Sequence, residues 1–159
     1  MKVIPNFLDQ EILDHIKKHI LNDAFPWYYN PYTGNNEDFS DFLFSHNLYK
    51  EDKQCSPFFN YVLVPLISRL KCNYLIRAKI NLYTKKHKEI KTAFHVDLHE
   101  KHTVALFSLN TNNGYTLFQN GEKIPSVENQ MLIFDGNLLH SSVSQTDINS
   151  RINININLT

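Results

Sequence analysis

Glycine is scarce in this chain of 159 residues, at four, and cysteine scarcer still, at two. Cys55 and Cys72 form no CxxC and no ladder with others, which excludes a disulfide framework or a thiolate zinc knuckle; both are expected to be buried or inert thiols. Long apolar runs are also missing. The strongest, Val62–Ile67 and Met131–Phe134, fall far short of a bilayer span, and Met1–Phe7 has neither the apolar core nor the cleavage site of a signal peptide. A soluble, cytoplasmic protein with no membrane partner is therefore expected. Neither sign of charge is in excess: Lys plus Arg and Asp plus Glu both number 16. Without an overall basic field, nucleic acid is not an expected partner.

What is present is the composition of a folding globular chain, 42% hydrophobic and 20% charged, at a length that suits one domain spanning residues 1–159. Lys outnumbers Arg 13 to 3, so each Arg is conspicuous. Near the N-terminus, Leu8, Ile12, Leu13, Ile16 and Ile20 recur at three- and four-residue steps, predicting an amphipathic helix over about 9–21 with Asp9 as its cap. His15 and His19 stand at i and i+4 on it, read as solvated because no HExxH follows. Residues 22–56 are rich in aromatics and turn formers, including Phe25–Gly34 and Asp38–Phe44, and read as a long loop. A second helix is expected over Pro57–Lys71, disturbed by Pro65. This makes a helical part of about 1–72.

From about 73 to 159 the period changes to two. Ile76, Ala78, Ile80 and Leu82 share one face of a strand, and Arg77, Lys79, Asn81 and Tyr83 share the other. Further strands are expected at Thr103–Leu109, Tyr115–Gln119, Gln130–Asp135, Ser141–Ser144 and Arg151–Leu158, with Asn112-Asn-Gly114 and Asn120-Gly121 as turns. Helices followed by strands, without βαβ alternation, predict a mainly β fold (α+β): an antiparallel barrel with the N-terminal helices packed outside.

The residues that carry chemistry are His95-Val-Asp97, His140 and Arg151. Residues two apart on a strand point to the same side, so His95 and Asp97 are able to serve one ion, with His140 as third ligand. Two imidazoles and a carboxylate leave open positions on a metal, the arrangement of non-haem Fe(II) oxygenases. Arg151 begins the alternating run Arg-Ile-Asn-Ile-Asn-Ile-Asn-Leu158. Its polar face carries amides where a wet face would serve as well with Lys or Glu, which suits a barrel interior where a guanidinium receives a carboxylate.

In this order the motifs resemble the 2-oxoglutarate- and Fe(II)-dependent oxygenase superfamily, and within it the prolyl-4-hydroxylase-like group. The resemblance runs from Ile4-Pro-Asn-Phe-Leu8 through Asn81-Leu-Tyr83, Gly114-Tyr-Thr-Leu-Phe118 and Leu132-Ile-Phe-Asp135 to Arg151. It implies a double-stranded β-helix (jelly roll) in which His95, Asp97 and His140 bind Fe(II), and Arg151 holds the distal carboxylate of the co-substrate 2-oxoglutarate. Tyr83 is implied as a phenol donor to that carboxylate, with Asn81 beside it. O2 is the second co-substrate, and a peptidyl (prolyl-type) or small-molecule substrate is hydroxylated with release of succinate and CO2. Phe94, Leu106, Phe107, Phe118 and Phe134 are expected to line or support a dry barrel. Asn129 stands where the family usually has a Gly in the stretch before the distal His, a departure that Asn tolerates in the left-handed region.

Trp27, Tyr28 and Tyr32 are candidate substrate contacts. His99 and His102 compete as ligands but read as solvated loop residues, and His46 and His87 as surface residues. Two other functions stay open: a nucleobase demethylase, which Asn81-x-Tyr83 also resembles, and a non-catalytic cupin-like barrel that binds metal or a carboxylate. Oligomeric state is not legible.

Overall fold

The computed structural model of the chain describes residues 1–33 and 41–159. Two helices and eleven strands follow in order: β1 (Lys2–Ile4), α1 (Gln10–Ile20), β2 (Tyr28–Asn30), β3 (Leu43–Lys50), β4 (Lys53–Gln54), α2 (Val64–Leu70), β5 (Leu75–Thr84), β6 (Thr103–Ser108), β7 (Asn112–Phe118), β8 (Lys123–Ser126), β9 (Gln130–Asp135), β10 (His140–Val143) and β11 (Ser150–Leu158). Every strand pair is antiparallel. A large sheet runs β1-β9-β6-β11-β5-β3-β2, with β4 on β3, and a smaller one runs β10-β7-β8. The fold is mainly β with helices outside, as the change of period predicts.

The helices cover one face of the large sheet. Leu13, Ile16 and Ile20 of α1, with Val62, Leu63 and Leu66 around α2, meet Ala78, Ile80, Ala105, Phe107, Ile152, Ile154 and Ile156 from the sheet. Each such side chain contributes roughly 1.5–3 kcal/mol by leaving water. The opposite face looks toward the small sheet, where Val104, Phe118, Leu132 and Phe134 form a second, smaller cluster. Phe107 therefore lies in the helix-side core and not in the barrel, because its place on β6 puts it on the same face as Ala105.

Several local details differ from the sequence expectation. Asp9 stands at the cap position of α1 but makes no capping bond, its carboxylate pairing with Arg69 instead. A π-helical turn at Phe59–Leu63 precedes α2, so Pro65 falls in the first turn of α2, where its missing N–H is not needed. The aromatic segment 22–56 holds strands β2 to β4; its Asp38-Phe-Ser40 portion lies outside the described residues. Asn112-Asn-Gly114 is not a turn but part of β7, at an irregularity in its pairing with β8. Gly114 is required there by proximity, since a Cβ would sit 2.9 Å from the Val143 carbonyl oxygen. Asn120-Gly121 does turn, with Gly121 at φ 88°. Asn129 adopts φ 60°, and its side chain bonds both the N–H and the carbonyl of Leu8, fastening the N-terminal segment to the start of β9.

Histidine placement also departs from expectation. His46 is buried, held between the Pro26 carbonyl at 2.8 Å and Ser56 Oγ at 2.7 Å. His102 is buried too, with Nδ1 on the Glu100 carbonyl, whereas His99 is exposed. Cys55 is exposed and Cys72 half-buried, both free. Among the described residues, no helix is long and apolar enough to cross a membrane.

His102 explains one glycine. A Cβ at Gly136 would overlap the His102 imidazole, while the Gly136 N–H bonds the His102 carbonyl and holds the two backbones together. Gly136→Ala is expected to cost roughly 1–3 kcal/mol by overpacking. Adding His102→Ala should recover much of that loss. Equal melting temperatures for wild type and Gly136→Ala in thermal denaturation would refute this packing account.

Candidate metal centre and its cavity

Backbone pairing brings the first two candidate ligands together. His95 and His140 exchange both main-chain hydrogen bonds, at 2.9 and 3.0 Å, in an isolated antiparallel bridge that carries residues 91–95 alongside β10. Residues directly opposite in such a pair project to the same side. Their rings accordingly lie 4.7 Å apart between centroids. Asp97, two residues beyond His95, turns its Oδ1 toward both, 3.9 Å from His95 Nε2 and 3.8 Å from His140 Nε2. The three ligand atoms lie within 4.8 Å of one another, a grouping able to hold a metal ion.

The outward atoms of each group are occupied in a way that frees the inward ones. His95 Nδ1 faces the Ala93 carbonyl at 3.1 Å and His140 Nδ1 the Leu138 carbonyl at 3.0 Å, each two residues upstream. A carbonyl only accepts, so Nδ1 carries the proton and the Nε2 lone pair is left toward Asp97. Burial lowers the pKa of His140 more than the Asp97 charge raises it, which favours the neutral ring a metal requires. Asp97 Oδ2 accepts from Asn155 Nδ2 at 2.8 Å and Asn157 Nδ2 at 2.9 Å. Burial alone would push the Asp97 carboxyl up, but the neighbouring His140, the Asn157 and Asn155 amides and Arg77 outweigh it and bring it to about 2. The group stays ionised across the neutral and mildly acidic range, and its direction is set by its two amide donors.

A cavity of about 110 Å³ opens from this cluster between the two sheets. Arg151 lies at its other end, 2% exposed, donating from one terminal nitrogen to Ser142 Oγ at 2.8 Å and to the Val143 carbonyl at 3.0 Å. The guanidinium carbon sits 5.4 Å from the Tyr83 ring centre, opposite its partner in the β5–β11 register. Burial raises the Tyr83 phenol, keeping it a neutral donor. Asn81 gives its amide to Asn153 Oδ1 at 3.0 Å. Among the described residues, four buried polar atoms in these walls have no partner: Arg151 Nε, Asn81 Oδ1, Asn155 Oδ1 and Thr33 Oγ1. An unmet buried donor or acceptor costs about 1–3 kcal/mol, so a polar ligand is the natural complement.

The residues expected from sequence as ligands and carboxylate holder thus surround one cavity. The aromatic candidates do not. Trp27 packs on Phe25 with ring centroids 4.9 Å apart, Tyr28 is 61% exposed on an outer edge strand, and Tyr32 does not line the cavity. Phe94 lies beneath Lys91, whereas Leu106 does line the cavity. The residues that sequence reading missed are Asn155 and Asn157 as holders of Asp97, Ser142 beside Arg151, and Arg77 and Lys79 near the ligands. The alternation of β5 and β11 announced their shared faces but not their partners.

The donor set fits a divalent cation: two neutral imidazole nitrogens, one ionised carboxylate oxygen and supporting hydrogen bonds on every outward atom. Asn155→Ala and Asn157→Leu should each weaken Co(II) or Fe(II) binding about 10–100-fold by freeing Asp97. Metal titration followed by Co(II) absorption checks this, and unchanged affinity in both variants would remove the amides from the account.

No known sequence family matches the chain, and no curated protein matches it by sequence. Solved structures do match. A prolyl hydroxylase from Trichoplax adhaerens, in complex with a peptide fragment of the hypoxia inducible factor oxygen degradation domain, is 13% identical. It superposes with a TM-score of 0.70 over 98% of this chain and 82% of its own. A 2OG-Fe(II) oxygenase family oxidoreductase from Burkholderia pseudomallei gives 0.69 at 12% identity, over 98% and 84%. HygX from Streptomyces hygroscopicus, with nickel, 2-oxoglutarate and hygromycin B bound, gives 0.64 at 9% identity, over 98% and 80%. This chain therefore has the double-stranded β-helix fold of the 2OG-Fe(II) oxygenases.

Proposed function

We propose that this protein is a 2-oxoglutarate- and Fe(II)-dependent dioxygenase that hydroxylates an unactivated C–H bond of a peptidyl, prolyl-type, or small-molecule substrate, releasing succinate and CO2. One observation carries the reading: His95, Asp97 and His140 converge at one end of a cavity whose other end is a buried Arg151 with an unpartnered Nε. His95, Asp97 and His140 hold Fe(II), and Arg151 receives the distal carboxylate of 2-oxoglutarate with Tyr83 as a second donor. Asn81 anchors Asn153 between them. When bound, iron with 2-oxoglutarate and O2 supplies the oxidant for C–H cleavage, chemistry that no side chain of the protein provides.

The chain's own residues orient and enclose. Asn155 and Asn157 keep Asp97 Oδ1 aimed inward, the backbone carbonyls of Ala93 and Leu138 fix the imidazole tautomers, and Ser142 and Val143 hold the guanidinium. Leu43, Val96 and Leu106 give the cavity apolar walls that limit water. No general base is assigned. The Trichoplax adhaerens hydroxylase with its peptide supports a peptide substrate, and HygX with hygromycin B supports a small molecule. A cytoplasmic location belongs to the same proposal.

Anaerobic Fe(II) plus 2-oxoglutarate should give a weak visible metal-to-ligand charge-transfer band in the wild type, absent from His95→Ala and His140→Ala. Arg151→Ala is expected to weaken 2-oxoglutarate by about 10–100-fold, the loss of charge-assisted hydrogen bonds, while Fe(II) affinity changes far less. Equal loss of both would reject the role of Arg151. No band in the wild type, or a complex that never yields succinate across prolyl peptides, amino acids and oligonucleotides, would favour a non-catalytic binding barrel.

A further inference from the structure

β5 sends four alternate side chains into the cavity: Arg77, Lys79, Asn81 and Tyr83. They divide into two ends. Tyr83 and Asn81 stand opposite Arg151 and Asn153, whereas Lys79 and Arg77 stand opposite Asn155 and Asn157, the amides that hold Asp97. Two cations therefore flank the metal ligands, away from the end that Arg151 serves.

Neither is closely paired with an anion there. Arg77 donates from Nε to Asn157 Oδ1 at 3.0 Å, and its terminal nitrogen comes only to 3.9 Å from Asp97 Oδ1. The Lys79 side chain makes no hydrogen bond or ion pair with any described residue. It is half-buried, because β5 is an interior strand between β11 and β3 and the face carrying Lys79 looks into the cavity. Burial foremost, and then the charge of Arg77, lower its pKa, while Asp97 alone raises it. Among the described residues that line the cavity, Asp97 is the sole carboxylate. Both its oxygens are committed, Oδ2 to the amides and Oδ1 to the ligand cluster.

Charge bookkeeping for the loaded site then has a definite sign. Fe(II) and the 2-oxoglutarate dianion cancel, and the imidazoles are neutral. With Arg151, Arg77 and Lys79 all protonated, three cationic side chains against one carboxylate leave a surplus of two positive charges, at the end of the cavity where Lys79 and Arg77 stand. A low-dielectric cavity makes uncompensated charge costly, and a ligand of opposite sign is what relieves it.

We propose that Lys79, supported by Arg77, is the recognition pole for an anionic group, a carboxylate or phosphate monoester, on the substrate that is oxidised. This rests on the oxygenase reading and names the charge class of its substrate. Lys79 meets the anion as a compact point charge, while Arg77, tied by Nε to Asn157, offers its terminal nitrogens.

The test uses the full chain loaded with redox-inert Zn(II) and 2-oxoglutarate, with binding read by ligand-observed NMR. The probes are matched sets built on prolyl peptides, amino acids, sugars and nucleosides. Each scaffold is supplied as a carboxylate, as a phosphate monoester and as its uncharged amide or alcohol. Anionic members should bind about tenfold or more tighter than their neutral twins. Lys79→Met should abolish that preference and Lys79→Arg should restore it, while 2-oxoglutarate affinity shifts less than twofold. The melting temperature of Lys79→Met should hold or rise, since a lysine kept for binding is a burden on the fold. Whichever of carboxylate and phosphate binds identifies the anion. Neutral twins that bind equally, a panel in which nothing binds, or a Lys79→Met variant that loses 2-oxoglutarate instead would overturn the proposal. Failure of the Zn(II) protein to bind 2-oxoglutarate at all, measured before any probe is added, would overturn the oxygenase reading and this proposal with it.

Discussion

The pair of main-chain hydrogen bonds between His95 and His140 is the constraint on which the site depends. It joins a segment outside any named strand to the start of β10, and because opposed residues project to one side, it forces two imidazoles onto the same wall of the cavity. Side-chain geometry follows from it. With Nδ1 of each ring turned back to a carbonyl of its own segment, the Nε2 atoms have one direction left, and Asp97 lies in it. Bonds on the main chain are well suited to this task, because they hold position without lengthy side chains whose freedom would have to be lost on ordering.

β11 then serves two structures at once. Ile152, Ile154 and Ile156 belong to the core under the helices, while Arg151, Asn153, Asn155 and Asn157 line or support the cavity. Both faces are buried, which explains the choice of amides. A Lys or Glu at 155 or 157 would add charge beside Asp97 and Arg77, whereas Asn donates to the carboxylate and keeps the local charge unchanged. The core and the ligand cluster thus share one strand register. A slip of one residue would carry every isoleucine into the cavity and every amide into the core.

The polar cavity is held at some cost to the fold. Arg151 Nε, Asn81 Oδ1 and Asn155 Oδ1 are buried without partners, and Lys79 shares its surroundings with the cationic Arg77 as well as with Asp97. Such groups are retained where a bound molecule completes them, and their concentration in one cavity contrasts with the well-packed clusters on either side of it. The helix-side core, fastened at its edge by Asn129 on Leu8 and by Arg69 on Asp9, supplies the stability that this region does without.

From the amino-acid order alone, β5, β9 and β11 were legible to within a residue or so, because period-two alternation is a local property of the chain. The sites of His95, Asp97, His140 and Arg151 were legible as well, since their order and flanking strands form a pattern along the sequence. Strands β2 to β4 were not, because β3 takes its extended form from pairing with β5, and β2 and β4 take theirs from pairing with β3, not from the segment's own periodicity. Tertiary structure alone decided that His46 and His102 are buried, that Gly114 marks a close approach and not a turn, and that Trp27 and Tyr28 lie away from the cavity. It alone joined Asn155 and Asn157 to Asp97 across 58 and 60 residues of chain. Alternation reports which face a residue occupies; which distant group meets it there is set by how the sheets stack.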